Sequence, residues 1–206
     1  MDQEQLQKIF WDYFDTAAQP KLRPDGTVDV FGSVKLMKSV QQLPLQFHKV
    51  TDKMDISAMG LVSLVGSPPL VNSHFDCSWN MITSLQGAPQ QVGGDFNCAG
   101  NELRTLQGAP IKVQGDFNCA ANASLVSLEG LPREVHGIVS VPGRNGLGVL
   151  RTLLVQGTEL INLAGNLTYW EEAEFILNKY KSKGWAATVP CARELIRAGY
   201  KDIAKL

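Results

Sequence analysis

Three cysteines recur at a spacing that suggests metal or redox chemistry. Cys77, Cys98 and Cys119 are separated by 21 residues each time. Thiolates bind zinc and exchange disulfides, but a structural zinc site needs four ligands converging from tight loops, whereas a repeated fold spreads these thiols along a line. Apolar residues fill the same place in neighbouring units: Ile56, Val141 and Leu163. The pattern therefore favours cysteine as a small core residue, and we predict neither a metal nor a cofactor.

A histidine near two carboxylates is the other group that could do chemistry. His74 precedes Asp76 by two residues, and Asp95 follows His74 by one repeat of 21. Such a cluster could act in general acid–base catalysis. Ser78 is the one nearby hydroxyl, and a flat row of strands offers no water-excluding pocket. An enzyme centred on His74, Asp76 and Asp95 is therefore the less favoured alternative, and we predict no catalytic residue.

These residues lie in an internal repeat. Four units begin at Leu64, Leu85, Leu106 and Leu128, and each carries Leu, Gly, Pro, Val and further apolar positions at matching offsets. A weaker unit follows Leu43, and INLAGN (161–166) matches FNCAGN (96–101) except at the two apolar positions. A period of 21 lies in the range of leucine-rich repeats. The sequence therefore predicts a solenoid of about six coils with short parallel strands.

Alternation along each short strand predicts which side chains face the core. Aromatic and β-branched residues form one inward column, the cysteines form the next, and corner asparagines form a ladder whose amides satisfy backbone groups. The first inward column contains Phe75, Phe96, Phe117 and Val139. The asparagine ladder contains Asn80, Asn101 and Asn122.

The outward positions form the candidate binding face. Their side chains are mostly short, and the face they form is mildly acidic. One predicted column contains Lys53, His74, Asp95 and Asp116, and the next contains Asp55, Asp76, Asn97 and Asn118. A third column contains Ser57, Ser78, Ala99 and Ala120. Calcium is an alternative ligand, but carboxylates on parallel strands do not wrap an ion as a loop does. A protein partner on this face should bring positive charge. Trp79 stands where neighbouring units have Gly100 and Ala121, and we interpret it as an interface anchor or as a cover for a neighbouring loop.

Helical segments at both ends predict caps for the solenoid. Residues 3–15 form an amphipathic pattern; one helix follows Thr168, and another is expected from Pro190 through Leu206. We predict one α+β domain over residues 1–206, with an N-terminal helical and strand cap (1–42), the solenoid (43–168) and a C-terminal two-helix cap (169–206).

The composition indicates which classes of partner and which cellular compartment to expect. The net charge is −1 and the pI about 6.3, and no long apolar stretch or signal-peptide pattern is present. A basic spacing at Arg193, Arg197, Lys201 and Lys205 could suggest DNA reading by the last helices, but a solvated cap is favoured. Four cysteines without a CxxC pair indicate a reducing compartment. We expect a cytoplasmic protein with no nucleic-acid or membrane partner.

The sequence motif of the repeat also resembles that of a known class of proteins. The unit S-L-x-G-x-P-x-x-V-x-G-D-F-x-C-x-x-N and the closing segments Ile176–Tyr180 and Ala192–Tyr200 resemble the leucine-rich-repeat-like proteins encoded by tailed bacteriophages and prophages. The likeness covers about two thirds of the chain and transfers no catalytic residue. It implies a phage or prophage origin and a role in a bacterial cell. We therefore expect a non-enzymatic module that binds and occludes a host or defence protein; a virion or accessory structural protein is the alternative.

Overall fold

A computed structural model describes residues 1–15, 18–144, 146–165, 167–181 and 183–206. Three helices, one 3-10 helix at Leu150–Leu154 and fifteen short strands make up the regular structure. The helices are α1 (Gln3–Tyr13), α2 (Leu167–Tyr180) and α3 (Trp185–Arg197). In chain order, the strands are β1 (Phe14–Asp15), β2 (Pro20–Leu22), β3 (Val28–Val30), β4 (Val34–Leu36), β5 (Phe47–Val50), β6 (Met54–Asp55), β7 (Leu70–Val71), β8 (Phe75–Asp76), β9 (Gln91–Val92), β10 (Phe96–Asn97), β11 (Lys112–Val113), β12 (Phe117–Asn118), β13 (Glu134–Val135), β14 (Ile138–Pro142) and β15 (Leu160–Ala164).

The strands stack into a solenoid of about six turns with two sheets. An eight-stranded sheet has the order β1-β4-β6-β8-β10-β12-β14-β15, and a seven-stranded sheet has the order β13-β11-β9-β7-β5-β3-β2. Neighbouring strands are parallel except at the N-terminal end, where β1 pairs antiparallel with β4 and β2 with β3. Parallel stacking already begins with β3 and β4, inside the segment predicted as the N-terminal cap. The seven-stranded sheet was not predicted, because its strands are mostly two residues long and show little alternation.

One coil shows how the 21-residue unit folds. After β9 the chain turns at Gly93 and Gly94 into β10, leaves that strand towards the corner Asn101, and returns through a turn at Gly108. Gly108 has φ +90°, and a Cβ there would lie 2.6 Å from the Leu85 carbonyl carbon of the preceding coil. The Gly-x-Pro turn therefore needs glycine both for its dihedral angle and for close stacking.

The core consists of the inward columns that the repeat predicts. Phe75, Phe96 and Phe117 are fully buried, and successive ring centroids are 5.6 Å apart with planes within 7° of parallel. The cysteines of the same three coils form the next buried column, which Val141 continues. Because aligned residues bury the same side chain in each coil, every unit completes its core only against its neighbours.

The predicted asparagine ladder is confirmed. In the middle coil, the Asn101 amide nitrogen donates to the Cys77 and Cys98 carbonyls at 3.0 and 3.1 Å, while its Oδ1 accepts the Ile82 N–H at 3.1 Å. Asn80 and Asn122 make the corresponding bonds one coil before and one coil after. The ladder thus joins consecutive coils where the strand bonds end. Asn166, at the matching place of INLAGN, lies outside the described residues.

Amide side chains from the cap helices block the ends of the strand stack. At the N-terminal end, Gln3 of α1 donates to the Pro20 carbonyl at 2.8 Å and accepts the Leu22 N–H at 3.0 Å. At the other end, Asn178 of α2 donates to the Ile161 carbonyl and accepts the Ile161 N–H, both at 2.8 Å. A primary amide presents one donor and one acceptor as a peptide group does, so each helix replaces a further strand at an edge that is otherwise open to aggregation.

The helix boundaries differ from the prediction in several places, and α2 begins at Leu167 rather than after Thr168. α1 ends at Tyr13, and the next residue starts β1. α3 begins at Trp185, so Pro190 lies inside it rather than at its start; one missing N–H donor is tolerated there at some cost. α3 ends at Arg197, where Gly199 has φ +93° and the Tyr200 N–H closes on the Leu195 carbonyl. The basic spacing of Arg193, Arg197, Lys201 and Lys205 therefore does not form a stripe on one helix, because Lys201 and Lys205 lie beyond α3. None of the described helices is both long and apolar enough to cross a membrane.

Candidate functional site

The outward residues of the eight-stranded sheet form one continuous column across all its strands. Strand register places each residue beside the next, from Asp15 of β1 to Asn162 of β15. We call this the strand column: Asp15, Lys35, Asp55, Asp76, Asn97, Asn118, Ser140 and Asn162. The sequence correctly grouped Asp55, Asp76, Asn97 and Asn118. It missed Lys35, because β4 lies before the recognisable repeats.

Side chains of the strand column are held by the backbone of their own coil. Asp76 Oδ1 accepts the Ser78 N–H at 2.8 Å and the Ser78 hydroxyl at 2.6 Å, and Asp55 makes the same pair of bonds with Ser57. Asn97 Oδ1 accepts the N–H two residues on at 3.2 Å, as Asn118 does at 3.0 Å. The Asn97 amide also donates to Asp76 Oδ2 at 3.1 Å. These Asx turns fix the direction of each polar head.

A second outward column, the corner column of Lys53, His74, Asp95 and Asp116, lies where the two sheets meet. Asp95 Oδ1 accepts the Asp116 N–H at 2.8 Å, and Asp116 Oδ1 accepts the Ile138 N–H at 2.7 Å. A Cβ on Gly115 would lie 2.1 Å from Asp95 Oδ1. The Gly-Asp pair of the repeat is therefore a structural unit, in which a carboxylate of one coil needs the glycine of the next.

In the acid–base cluster, His74 contacts the backbone and the carboxylate of the next coil. Its Nδ1 accepts the Asp95 N–H at 3.0 Å, so in neutral histidine this nitrogen carries no proton for Asp95 Oδ2, which lies at the same distance. Ser78 is 3% exposed, and its hydroxyl donates to Asp76 rather than facing the histidine. The nearest hydroxyl is thus covered and engaged in the strand column, a poor arrangement for a nucleophile.

The cysteine column has the properties of core residues. Burial raises the pKa of the Cys77, Cys98 and Cys119 thiols well above the ordinary value, and it raises the pKa of Cys191 to about 12. Thiolates are the reactive and metal-binding form, so these groups are held in the inert one. Within the part of the chain that the structure describes, no group of three or more His, Cys, Asp or Glu side chains is placed to hold a metal ion.

Trp79 lies on a ridge beside the strand column. Its φ is +55°, and the equivalent residues Ala58, Gly100 and Ala121 have φ between 54° and 66°. The indole lies across Gly100, where a Cβ would approach Cε3 to 2.6 Å. It covers Gly100 of the neighbouring coil, and it is still 66% exposed. A bulky side chain in this left-handed conformation is unusual.

Charge is distributed unevenly over this face. The carboxylates Asp55, Asp76, Asp95 and Asp116 belong to four consecutive coils, whereas later positions are neutral. Lys35 approaches Asp55 at 3.9 Å, a cation that sequence reasoning missed. Next to the neutral half lies a shallow apolar groove of about 480 Å³, lined mainly by Ala120, Ala121, Ala123, Pro142 and Ala164. The face thus combines an acidic half, a neutral polar half bordered by an apolar groove, and the exposed Trp79.

No protein-family model, curated protein or solved structure matches this chain.

Proposed function

We propose that this protein is a non-enzymatic binding module of the leucine-rich-repeat-like class, of phage or prophage origin, that covers the surface of a bacterial host or defence protein in the cytosol. The resemblance of the repeat unit supports the class and the origin. The outer face of the eight-stranded sheet is the binding surface, and the partner carries basic side chains. Asp55, His74, Asp76, Trp79, Asp95, Asn97, Asp116 and Asn118 contribute the contacts.

The rigid presentation of the carboxylates is the observation on which this proposal rests. Asp55, Asp76, Asp95 and Asp116 each use Oδ1 to accept a backbone N–H. The side chains are thus already ordered, and binding costs little of the rotamer entropy that a free surface side chain would lose. Asp55 and Asp76 form one fixed pair in the strand column, and Asp95 and Asp116 form another in the corner column. Such fixed carboxylates favour a partner with matching Lys or Arg side chains over random basic surfaces.

Trp79 supplies the apolar anchor of the surface. The coils beside it use alanine or glycine at the same left-handed position, so the fold does not require an indole there. Bulky residues kept in such a conformation cluster at functional sites, and tryptophan is enriched among the residues that dominate binding energy. Trp79→Ala installs the residue that Ala58 and Ala121 already place at this φ.

Isosteric substitutions test the proposal without breaking the fold. Changing the four aspartates to asparagine removes four charges and can keep the Oδ1 that accepts the backbone N–H, although at Asp76 it replaces the Oδ2 that accepts the Asn97 amide. In the strand column, Asn97 and Asn118 already hold positions equivalent to Asp55 and Asp76. The matched charge control changes exposed glutamates outside this face to glutamine: Glu129, Glu159, Glu171 and Glu172. Trp185→Ala controls for Trp79→Ala, because both indoles are 66% exposed.

The assay is quantitative affinity capture from a bacterial lysate, followed by titration of the captured protein. We expect binding to weaken at least about tenfold in Trp79→Ala and in the four-asparagine variant, and to stay unchanged in both controls. Binding of the aspartate variant should also depend less on salt. The proposal fails if no stoichiometric partner is captured, or if the captured protein binds these variants as tightly as it binds the original chain.

A further inference from the structure

The segments that contain α1 and α3, at opposite ends of the solenoid, carry opposite charge. At the N-terminal end, the side chains of residues 2–15 include four carboxylates and one lysine, all exposed. At the C-terminal end, residues 183–206 include five basic and two acidic side chains, and the acidic Glu194 is paired with Lys179 at 2.8 Å. The neighbouring α2 and the residue after it add Glu171, Glu172 and Glu174 with Lys179 and Lys181, so the basic excess is that of the α3 segment. The strand order places β1 and β2 at one end and β15 at the other, so these charges face opposite ways along the stack.

Each charged end also exposes apolar surface. Trp11 on α1 is 85% exposed, the largest fraction of any exposed large apolar side chain among the described residues, and Asp12 follows it. On α3, the exposed residues Trp185, Val189 and Ile196 follow one another at helical spacing, with Arg193 and Arg197 alongside. An exposed apolar stripe bordered by charge is typical of a protein interface.

We propose that copies of this chain associate head to tail, with the α1 end of one copy docked on the α3 end of the next. Trp11 then packs against the apolar stripe of α3, and the acidic side chains of α1 lie opposite Arg193 and Arg197. Charge complementarity selects this arrangement: two α3 ends would oppose arginine to arginine, and two α1 ends would oppose carboxylate to carboxylate.

The caps determine how the copies meet. Gln3 and Asn178 already satisfy the backbone of the outermost strands, so the contact is made by cap-helix side chains rather than by strand addition. A head-to-tail contact uses two different surfaces and leaves one of each free, which produces an open chain of copies unless the rotation closes a ring. The outer face of the eight-stranded sheet stays accessible in every copy. This inference goes beyond the proposed function and uses none of its residues.

Sedimentation velocity on the full chain tests the association, from roughly 10 µM to roughly 1 mM protein. We expect the mean mass to rise with concentration at about 50 mM NaCl and the apparent association constant to fall at least about tenfold at about 500 mM NaCl, because exposed charges are screened. Trp11→Ala should weaken association at least about tenfold, whereas Ile111→Ala, an exposed apolar residue on the side of the solenoid, should not. Mass that stays monomeric at all concentrations in low salt overturns the proposal.

Charge reversal separates this arrangement from nonspecific aggregation. Glu4→Lys with Asp12→Lys makes the α1 end basic, and Arg193→Glu with Arg197→Glu makes the α3 end acidic. Each double variant alone should stay monomeric, and an equimolar mixture should associate again, because every end then meets its opposite. Reversal of two arginines on the side of the solenoid, Arg104→Glu with Arg133→Glu, should change nothing. A mixture that stays monomeric while circular dichroism shows both variants folded refutes the contact, as does association of either variant alone.

Discussion

Asn101→Ala tests whether the asparagine ladder holds the coils together. Asn101 is 6% exposed, and its side chain bonds backbone groups of two coils. The substitution removes the acceptor of the buried Ile82 N–H. It also removes one donor from the Cys77, Cys98 and Ala99 carbonyls.

The bonds on either side set the size of the effect. The Cys77 carbonyl keeps the Asn80 amide at 3.0 Å, the Cys98 carbonyl keeps the Asn122 amide at 3.1 Å, and the Ala99 carbonyl keeps a backbone N–H. One N–H is therefore left without this acceptor, at about 1–3 kcal/mol, and three weakened acceptors add about 1 kcal/mol together. We expect a loss of about 2–4 kcal/mol, a large part of the stability of an ordinary domain.

Urea unfolding followed by circular dichroism measures the loss, with the m-value as a check on two-state behaviour. Asn72→Ala, at an exposed corner, is the control and should change stability by less than about 0.5 kcal/mol. Asn80→Ala should cost more than Asn101→Ala, since Asn80 Oδ1 accepts two N–H groups, from Met59 and Leu61. If Asn101→Ala is as stable as Asn72→Ala, water satisfies the ladder and our account of the corner is wrong.

Four further changes test other parts of the structure. Cys98→Val should cost less than about 1.5 kcal/mol, because the site is an apolar core position, and native Cys98 should not react with a thiol reagent until the chain unfolds; rapid labelling or zinc in elemental analysis would contradict this. Gly115→Ala should destabilise the protein by about 2–4 kcal/mol in urea unfolding, since the added Cβ displaces the carboxylate of Asp95. Asp95→Asn keeps the acceptor and should be nearly neutral. Equal effects of the two substitutions would disprove the coupling between Gly115 and Asp95. Asn178→Leu should lower the melting temperature and cause concentration-dependent light scattering, because the β15 edge becomes available; a soluble variant of unchanged stability would count against edge blocking. The pKa of Glu194 is lowered by hydrogen bonds from a lysine and a tyrosine of α2. The stabilisation that Glu194 gives the folded state is therefore present above the ordinary carboxyl pKa and is lost as the pH falls through the lowered pKa. The stability difference between the original chain and Glu194→Gln should shrink in acid, and a difference that grows there would contradict the assignment.

The repeat made the core predictable. Phe96, Cys98 and Asn101 recur with Phe117, Cys119 and Asn122 at one spacing, and residues that repeat in register must stack in any solenoid with parallel strands. The chemical type of each residue then indicates where it lies. A buried asparagine amide needs hydrogen bonds to the backbone, which a corner of the coil offers, whereas phenylalanine needs none and lies in the core. The sequence thus predicted the solenoid, the inward columns and the ladder.

Features outside the repeat were harder to predict. The seven-stranded sheet depends on strands as short as Gln91–Val92, where one inward valine gives no period to detect. Lys35 belongs to β4, in a coil whose sequence lacks the repeat motif. Pro190 signals a helix start by itself, yet α3 begins five residues earlier, because packing of Ala187, Thr188 and Cys191 against the rest of the chain outweighs the missing N–H.

The outward aspartates show why residue type alone does not separate scaffold from site. Asp95 and Asp76 were predicted as binding residues on charge and exposure, and each proves to have an internal bond through Oδ1. In the strand column, an internal bond explains an acceptor but not a negative charge, because Asn97 and Asn118 accept the N–H two residues on, as Asp55 and Asp76 do. The charge of Asp55 and Asp76 is therefore a part of this face that these backbone bonds do not require. Replacing the charge while keeping the Oδ1 acceptor is for that reason the sharpest test of function, since it leaves the bond of each side chain to a backbone N–H in place.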